Sequence, residues 1–392
     1  MTINPDISKF HDEMTAWRRD FHANPELGYE EHRTSDIVAE RLESWGIEVH
    51  RGMAGTGVIG VLRQGNDPRC IGLRAEMDAL PMQEQNGFEH ASTTPGKMHA
   101  CGHDGHTTIL LGAAKYLAET RNFSGTVNFI FQPAEEAGAG AKRMVAEGLF
   151  DKFPCDTVWA LHNVPQLATG TAIARPGAVM AAVDGMSITI KGKGSHGAQP
   201  HNGNDPISVG VMLHTALQHL STKNINPIMP NVVNVTRFNS GTATNVVPAQ
   251  AELHATIRTF DMEARETIKR RVAEICKGME AVYNVQIDLN YRWGCSPTIN
   301  SVEESLAAQR VIGQVLGDEN VITEFPPTMG GEDFADMLEA RPGCYIFIGG
   351  GKTDNDPLLH HPEYDFNDAI LPTGASYFAA LVEDQLKPQQ PE

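Results

Sequence analysis

Short apolar runs of strand length alternate with helical repeats through the first half of this chain, and that alternation excludes most fold classes before any motif is read. Residues 58–62, 70–74, 126–131 and 157–161 read as strands. Between them, Ile109, Leu110, Ala113, Ala114 and Leu117 recur at helical spacing, and residues 140–147 form a second helical crossover. Residues 7–46 add two helical patterns around the turn-like Asn24, Pro25, Glu26, Leu27 and Gly28. Strands separated by helices predict an α/β fold with a mainly parallel sheet flanked by helices. Near residue 184 the texture changes. Strand patterns at 186–191, 232–238, 249–259 and 285–291 enclose helical patterns at 205–220 and 262–283, an order that closes as a separate α+β unit. From Ser301 the alternation returns, with a helix to about Leu316 and a strand at 344–349. We therefore expect a domain built from residues 1–184 and 297–392, interrupted by an inserted domain at 185–296.

With 392 residues, 41% hydrophobic and 20% charged, the chain has material for a large core and for two domains. Its net charge of -18 comes from 31 basic against 49 acidic residues, with no basic run, which argues against a nucleic-acid partner. The six cysteines, at 70, 101, 155, 276, 295 and 344, make no dense disulfide framework and suit a reducing compartment. The N-terminal residues lack the apolar core of a signal peptide, and no later stretch is long enough to span a bilayer. A cytoplasmic location without a membrane partner is the expectation.

Residues 98–106 read Met-His-Ala-Cys-Gly-His-Asp-Gly-His, a density of imidazole, thiol and carboxylate that is hard to justify without a metal. Cys101 and His103, at i and i+2, can face one point from a loop, and both are ligands for a borderline-soft divalent ion. A closed structural zinc site would need paired Cys-x-x-Cys units, which the nearest other cysteines, Cys70 and Cys155, do not provide. A cysteine hydrolase with Cys101 as nucleophile is the other alternative, although one Cys and several His in a long chain meet that description by accident. His99 and His106 are the histidines expected only to hydrogen-bond a loop.

Other polar residues follow predicted strands, where open α/β sheets expose their functional edge. Glu135 and Glu136 come after the run 126–131, so that one can bind metal while its neighbour moves protons. His162 ends the run 157–161 as a further ligand source. Asp78, after the run 70–74, is placed to orient a metal-binding histidine. By composition alone, residues 329–333 are a glycine turn and 359–362 a polar loop.

The series Arg18-Arg19-Asp20-Phe21-His22 with Pro25-Glu26-Leu27, then 74–81, 99–106, 132–136, 194–201, Asn245-Val246-Val247-Pro248, 330–334 and 360–368 strongly resembles the aminoacylase/hippurate hydrolase amidohydrolases. These are relatives of glutamate carboxypeptidase and succinyl-diaminopimelate desuccinylase. The resemblance runs from about residue 15 to 380 with the motifs in family order. It implies a metal-dependent hydrolase of N-acyl-L-amino acids, with two divalent ions per subunit, Zn or Mn first and Co or Ni compatible. It implies Cys101, His103, Glu136, His162 and His360 as ligands, Cys101 bridging where many relatives carry aspartate. Glu135 matches the general base and Asp78 the acid that orients a ligand, while Glu76 stands where many members have Asp. His196 matches a lid histidine supplied across a dimer. Asn245 and Arg258 match residues that hold the substrate carboxylate, and Gly330 and Gly331 would let the backbone approach the ligand. The inserted domain then reads as a lid that mediates a homodimer or higher homo-oligomer. A dipeptidase or an N-acetyl-diaminopimelate deacetylase on the same scaffold is the alternative activity, and a non-catalytic binding protein a further one.

Overall fold

The computed structural model describes residues 3–136, 139–353 and 355–388, which divide into two compact units. The first comprises residues 1–179, 299–326 and 333–392, and the second residues 180–298 together with 327–332. The second unit is thus slightly wider than the expected insert, and it takes in a short return segment from beyond residue 300.

In the first unit the labelled strands are β1 (Glu48–Met53), β2 (Gly57–Gln64), β3 (Cys70–Glu76), β4 (Gly125–Gln132), β5 (Thr157–Ala168), β6 (Ala172–Ile173), β7 (Val321–Ile322) and β8 (Gly343–Gly351). They form one eight-stranded sheet in the order β1-β2-β4-β3-β5-β8-β6-β7. Its centre, β4-β3-β5-β8, is parallel, while β1-β2 and β2-β4 are antiparallel. All seven residues of β3 are buried, as a strand covered on both faces must be, which is why its apolar run does not alternate. Helices His11–Ala23, His103–Thr120 and Leu371–Gln385 pack together and close a core that includes Trp17, Leu110, Leu117, Phe129, Trp159 and Phe378. The chain leaves β3 to reach β4 on one side and β5 on the other, and at such a switch point the carboxyl ends of the strands open a crevice. Among the described residues, no helix is long and apolar enough to cross a membrane.

The second unit carries a four-stranded antiparallel sheet in the order Asn231–Ser240, Gln250–Thr259, Ala182–Lys191, Gln286–Arg292. Helices Pro206–His219 and Met262–Tyr283 pack with it, around Ile188, Ile190, Leu213, Leu253, Ile257, Ile268 and Val272. The buried Arg265 guanidinium is fixed by Asp184 at 2.6 and 3.0 Å, by the carbonyls of Gly294 and Cys295, and by the Trp293 ring 3.9 Å away. It ties the long helix to the central strand and to the segment that follows the edge strand.

Polar residues at the interface of His11–Ala23 with His103–Thr120 are charged yet buried. His22 Nδ1 lies 2.8 Å from Asp104 Oδ2 and its Nε2 3.2 Å from Glu84 Oε1, so both ring nitrogens donate only in the imidazolium form. Burial alone would lower the His22 pKa, but the bonds to Asp104 and Glu84 outweigh it and hold it at about 9. The folded value exceeds the unfolded one of about 6.5, so this contribution to stability is complete below pH ~6.5 and is lost as pH rises through 9. Urea unfolding between pH 6.5 and 9 should show the wild type losing stability, at up to about 1.4 kcal/mol per pH unit from this group. His22→Gln should be less stable at pH 6.5 and flatter across the window; parallel slopes would mean that His22 is neutral in the fold.

Candidate metal centre

Residues from four separate segments of the first unit converge where β3 and β4 end, beside the middle of β5. Cys101 comes from the loop before His103–Thr120 and His103 opens that helix, whose N-cap, Gly102, is in the left-handed region with φ 101°. Glycine is required there twice over, because a Cβ would also meet Asn163 Oδ1 at 2.3 Å. Glu135 and Glu136 sit on the turn after β4, His162 lies within β5, and His360 belongs to the turn region before the last helix. Three clusters overlap: Cys101 with His103 and His162, Cys101 with Glu136 and His360, and His103 with Glu135 and Glu136. In each, one ligand atom per residue lies within 4.8 Å of the others. Cys101 Sγ is 3.3 Å from His162 Nε2, and His360 Nε2 is 3.2 Å from Glu136 Oε1.

The imidazoles are held in the orientation a ligand needs. His103 Nδ1 donates to the Asp78 carbonyl at 2.9 Å and His162 Nδ1 to the Asn163 carbonyl at 2.7 Å, so each ring turns Nε2 toward the cluster. Asp78 does more than accept that bond: its Oδ1 stands 3.3 Å from His103 Nδ1, and its Oδ2 accepts the Glu136 backbone N–H at 2.9 Å. Burial pushes the Cys101 thiol up, and burial followed by the charge of His106 pushes His162 well down, into the neutral form that ligates. Thiolate, imidazole and carboxylate donors in overlapping groups, two of which share one sulfur, fit divalent cations of intermediate softness.

Beneath the candidate ligands lies a buried polar layer. His106 bonds Glu76 at 3.0 Å and Asn163 Oδ1 at 2.9 Å, and Asn163 Nδ2 donates to the Tyr364 hydroxyl at 2.8 Å. Arg74 pairs with Glu76 and with Asp333, and its Nε donates to Gln132 Oε1 at 2.8 Å. Burial would raise the Glu76 pKa, but Arg74 and then His106 outweigh it and keep the carboxylate charged. Glu76 is therefore held as a carboxylate by partners on both sides.

Residues 72–384 match the model of peptidase family M20/M25/M40. The chain is 40% identical over 387 residues to a hippurate hydrolase of Campylobacter jejuni, covering 99% of this chain and all of that one. The chain belongs to peptidase family M20/M25/M40. It is also 39% identical to an IAA-amino acid hydrolase of Arabidopsis thaliana, over 95% of this chain and 85% of the relative. A crystal structure from Bacillus subtilis, described as a dinuclear metal binding peptidase of the M20 family, aligns with a TM-score of 0.84 at 34% identity, covering 97% of this chain and 99% of that one.

The remaining candidate residues of this M20-family chain lie in its second unit. His196 and Asn245 meet on a two-stranded ribbon, where Val246 pairs with His196 and Gly197 N–H donates to the Asn245 carbonyl at 2.8 Å. Arg258 stands half-buried on the strand Gln250–Thr259. Gly331 has a packing reason for being glycine, since a Cβ would meet Val183 Cγ2 at 2.1 Å; Gly330 is exposed. Of the two histidines expected to be bystanders, His106 organises Asn163, whereas buried His99 has no hydrogen-bond partner at either nitrogen among the described residues.

Sequence reading missed Glu31. Ala134, just before the paired glutamates, is a buried non-glycine residue in the left-handed region at φ 55°. Its N–H donates to Glu31 Oε1 at 2.8 Å, while Thr56 Oγ1 donates to the other oxygen at 2.6 Å. Glu31 thus pins the turn that aims Glu135 and Glu136. Glu31→Ala should destabilise the fold by about 1–3 kcal/mol through the orphaned amide and weaken metal binding roughly 10- to 100-fold. Glu31→Gln, which keeps an acceptor, should lose less. Calorimetric metal titration with thermal unfolding checks this, and unchanged affinity in Glu31→Ala would mean that the turn is held elsewhere.

Proposed function

We propose that this protein hydrolyses the amide bond of N-acyl-L-amino acids, releasing a carboxylic acid and a free amino acid. The observation that carries the reading is the set of ligand clusters sharing Cys101 beside Glu135, in a chain that aligns end to end with a hippurate hydrolase. In this reading Cys101, His103, Glu136, His162 and His360 would hold two divalent ions, Cys101 being the residue common to both ligand groups. Zn or Mn suits the mixed donor set first, with Co and Ni compatible. Ions bound there supply Lewis acidity toward the amide carbonyl and acidify water.

The chain's own groups do the rest. Glu135, half-buried on its turn, takes a proton from the attacking water and passes it to the departing amine. Asp78 keeps His103 and the Glu136 backbone in register during that exchange. His196 Nδ1 accepts the Ala198 N–H at 3.1 Å, which leaves the proton of the neutral ring on Nε2, where it can donate to the developing oxyanion. Arg258 bonds only Thr256 Oγ1 and the Ile257 carbonyl among the described residues, so its fork is available to a substrate carboxylate, with Asn245 as a second donor. Gly330, exposed on its loop, lets backbone approach the ligand, and Gly331 serves packing. Six buried cysteines, too scattered along the chain for a dense disulfide framework, support a cytoplasmic location.

Release of amino acid from N-benzoyl, N-acetyl and N-indoleacetyl amino acids should disappear on metal stripping and return with Zn or Mn. Glu135→Gln should lower kcat by roughly 10²- to 10⁴-fold with metal still bound. Turnover confined to dipeptides or N-acetyl-diaminopimelate would replace the substrate class, and no turnover on any amide would favour a binding protein. The reading also places His196 in action across a homodimer through the second unit. Mixing Glu135→Ala with His196→Ala chains should then restore activity, and inactive heterodimers would remove the trans role.

A further inference from the structure

Two thiols that the metal centre does not use lie together at the opposite edge of the sheet. Cys70 opens β3, and Cys155 sits two residues before β5. The six-residue step along β3 from Cys70 to Glu76 separates this pair from the metal-centre end by about 20 Å. β3 and β5 are parallel neighbours, and the Asp156 N–H donates to the Cys70 carbonyl at 2.7 Å, while Asp156 Oδ2 accepts the Cys70 N–H at 2.8 Å. Cys155 is thereby one residue from direct pairing with Cys70, and neighbouring strands are about 4.8 Å apart, within the Cα separation that a disulfide spans. Gly72 makes the space: a Cβ there would come within 3.0 Å of Cys155 Sγ, and Gly72 lies on the same face of β3 as Cys70. One amide nitrogen, Asn128 Nδ2, reaches both sulfurs, at 3.4 Å to Cys70 and 3.3 Å to Cys155.

We propose that Cys70 and Cys155 form a reversible oxidation site, in which a small hydroperoxide converts the two thiols to a disulfide that staples β3 to the segment entering β5. The chemistry is asymmetric. A hydrogen bond from Cys155 lowers the Cys70 thiol, and the same bond followed by burial raises Cys155 well above the usual range. Burial first, with Glu280 and Glu304 nearby, pushes Cys276 up to about 11 and Cys344 up to about 12, so those thiols are poor nucleophiles. The Cys70 thiolate attacks the terminal peroxide oxygen; the O–O bond breaks, water or an alcohol leaves, and Cys70 becomes a sulfenic acid. Cys155 sulfur then attacks the Cys70 sulfur, its proton leaves with the hydroxide as water, and the S–S bond forms. In sum, two thiols and one hydroperoxide give a disulfide, one water and one alcohol or second water. Exposures of 8% for Cys70 and 5% for Cys155 admit a molecule of that size and exclude protein disulfides.

The test uses the metal-loaded wild-type protein, treated with graded hydrogen peroxide, quenched with N-ethylmaleimide, digested without reductant and read by mass spectrometry. A linked peptide pair containing Cys70 and Cys155, lighter than the two thiol peptides by about 2 Da and released by dithiothreitol, is the expected product. Cys276 and Cys344 should remain alkylatable after denaturation. Cys155→Ser should accumulate a Cys70 sulfenic acid trapped by dimedone, and Cys70→Ser should leave Cys155 unoxidised at the same dose. Recovery of both residues as free thiols, Cys70 oxidised without joining Cys155, or linkage of either to another cysteine would overturn the proposal.

Discussion

An imidazole can offer one nitrogen to a metal reproducibly only if the other is bonded to something that does not move. Here those fixed acceptors are two backbone carbonyls, of Asp78 for His103 and of Asn163 for His162, and both follow directly from where β3 and β5 run. Asn163 lies within β5, so its carbonyl is positioned by the sheet itself, while Asp78 follows two residues after β3 ends and inherits its place from that strand. Asp78 extends the same logic to the carboxylates, since its side chain holds the Glu136 N–H. One residue therefore sets the spacing between an imidazole ligand and the glutamate turn.

That arrangement places charge in the middle of the sheet, where it is expensive unless paired. Arg74 and Glu76 lie two apart on a fully buried strand and face the same side, so they neutralise each other before any other element is involved. Asp333 would tip the balance negative, but it also accepts from Gln132 Nε2 at 2.7 Å and from the Ala141 N–H at 2.9 Å. His106 then carries the network to Asn163 and Tyr364. Replacing one member of such a set strands its partner in the interior, a penalty of several kcal/mol, about 3–5 when a buried pair is broken.

Much of this was legible in the chain. The α/β alternation, the change of texture near residue 184, and the donors Cys101, His103, Glu135, Glu136 and His162 each stood in a local pattern with a physical reading. His360 did not: composition offered only a polar loop, and family resemblance was needed to select it. Glu31 and Asn163 were invisible, because each acts through a partner more than fifty residues away and neither sits in a pattern that distinguishes it from an ordinary polar residue. The edge pairing of β6 and β7 escaped for another reason. Two-residue strands carry no periodicity, and their place is set by neighbours they meet only in the folded sheet.

The strongest sign of design for function is backbone strain. Among the non-glycine residues with positive φ are Ala134 at 55° and His360 at 64°, one just before the paired glutamates and the other itself a ligand candidate. Positive φ is uncommon for any residue with a side chain, though less so for His than for Ala, and each of these conformations is held by surrounding contacts. For Ala134 the contact is Glu31. For His360 it is a backbone bond to the Ala100 carbonyl at 2.7 Å, next to Cys101 in sequence. Ala100 is in turn anchored through Met98, which exchanges backbone bonds with Leu80 just beyond Asp78. The backbone thus runs a continuous line of hydrogen bonds from the end of β3 through the cysteine loop to His360. Relaxing His360 to an ordinary conformation would break that line beside Cys101, so local strain in one turn is balanced by the geometry of the whole donor set.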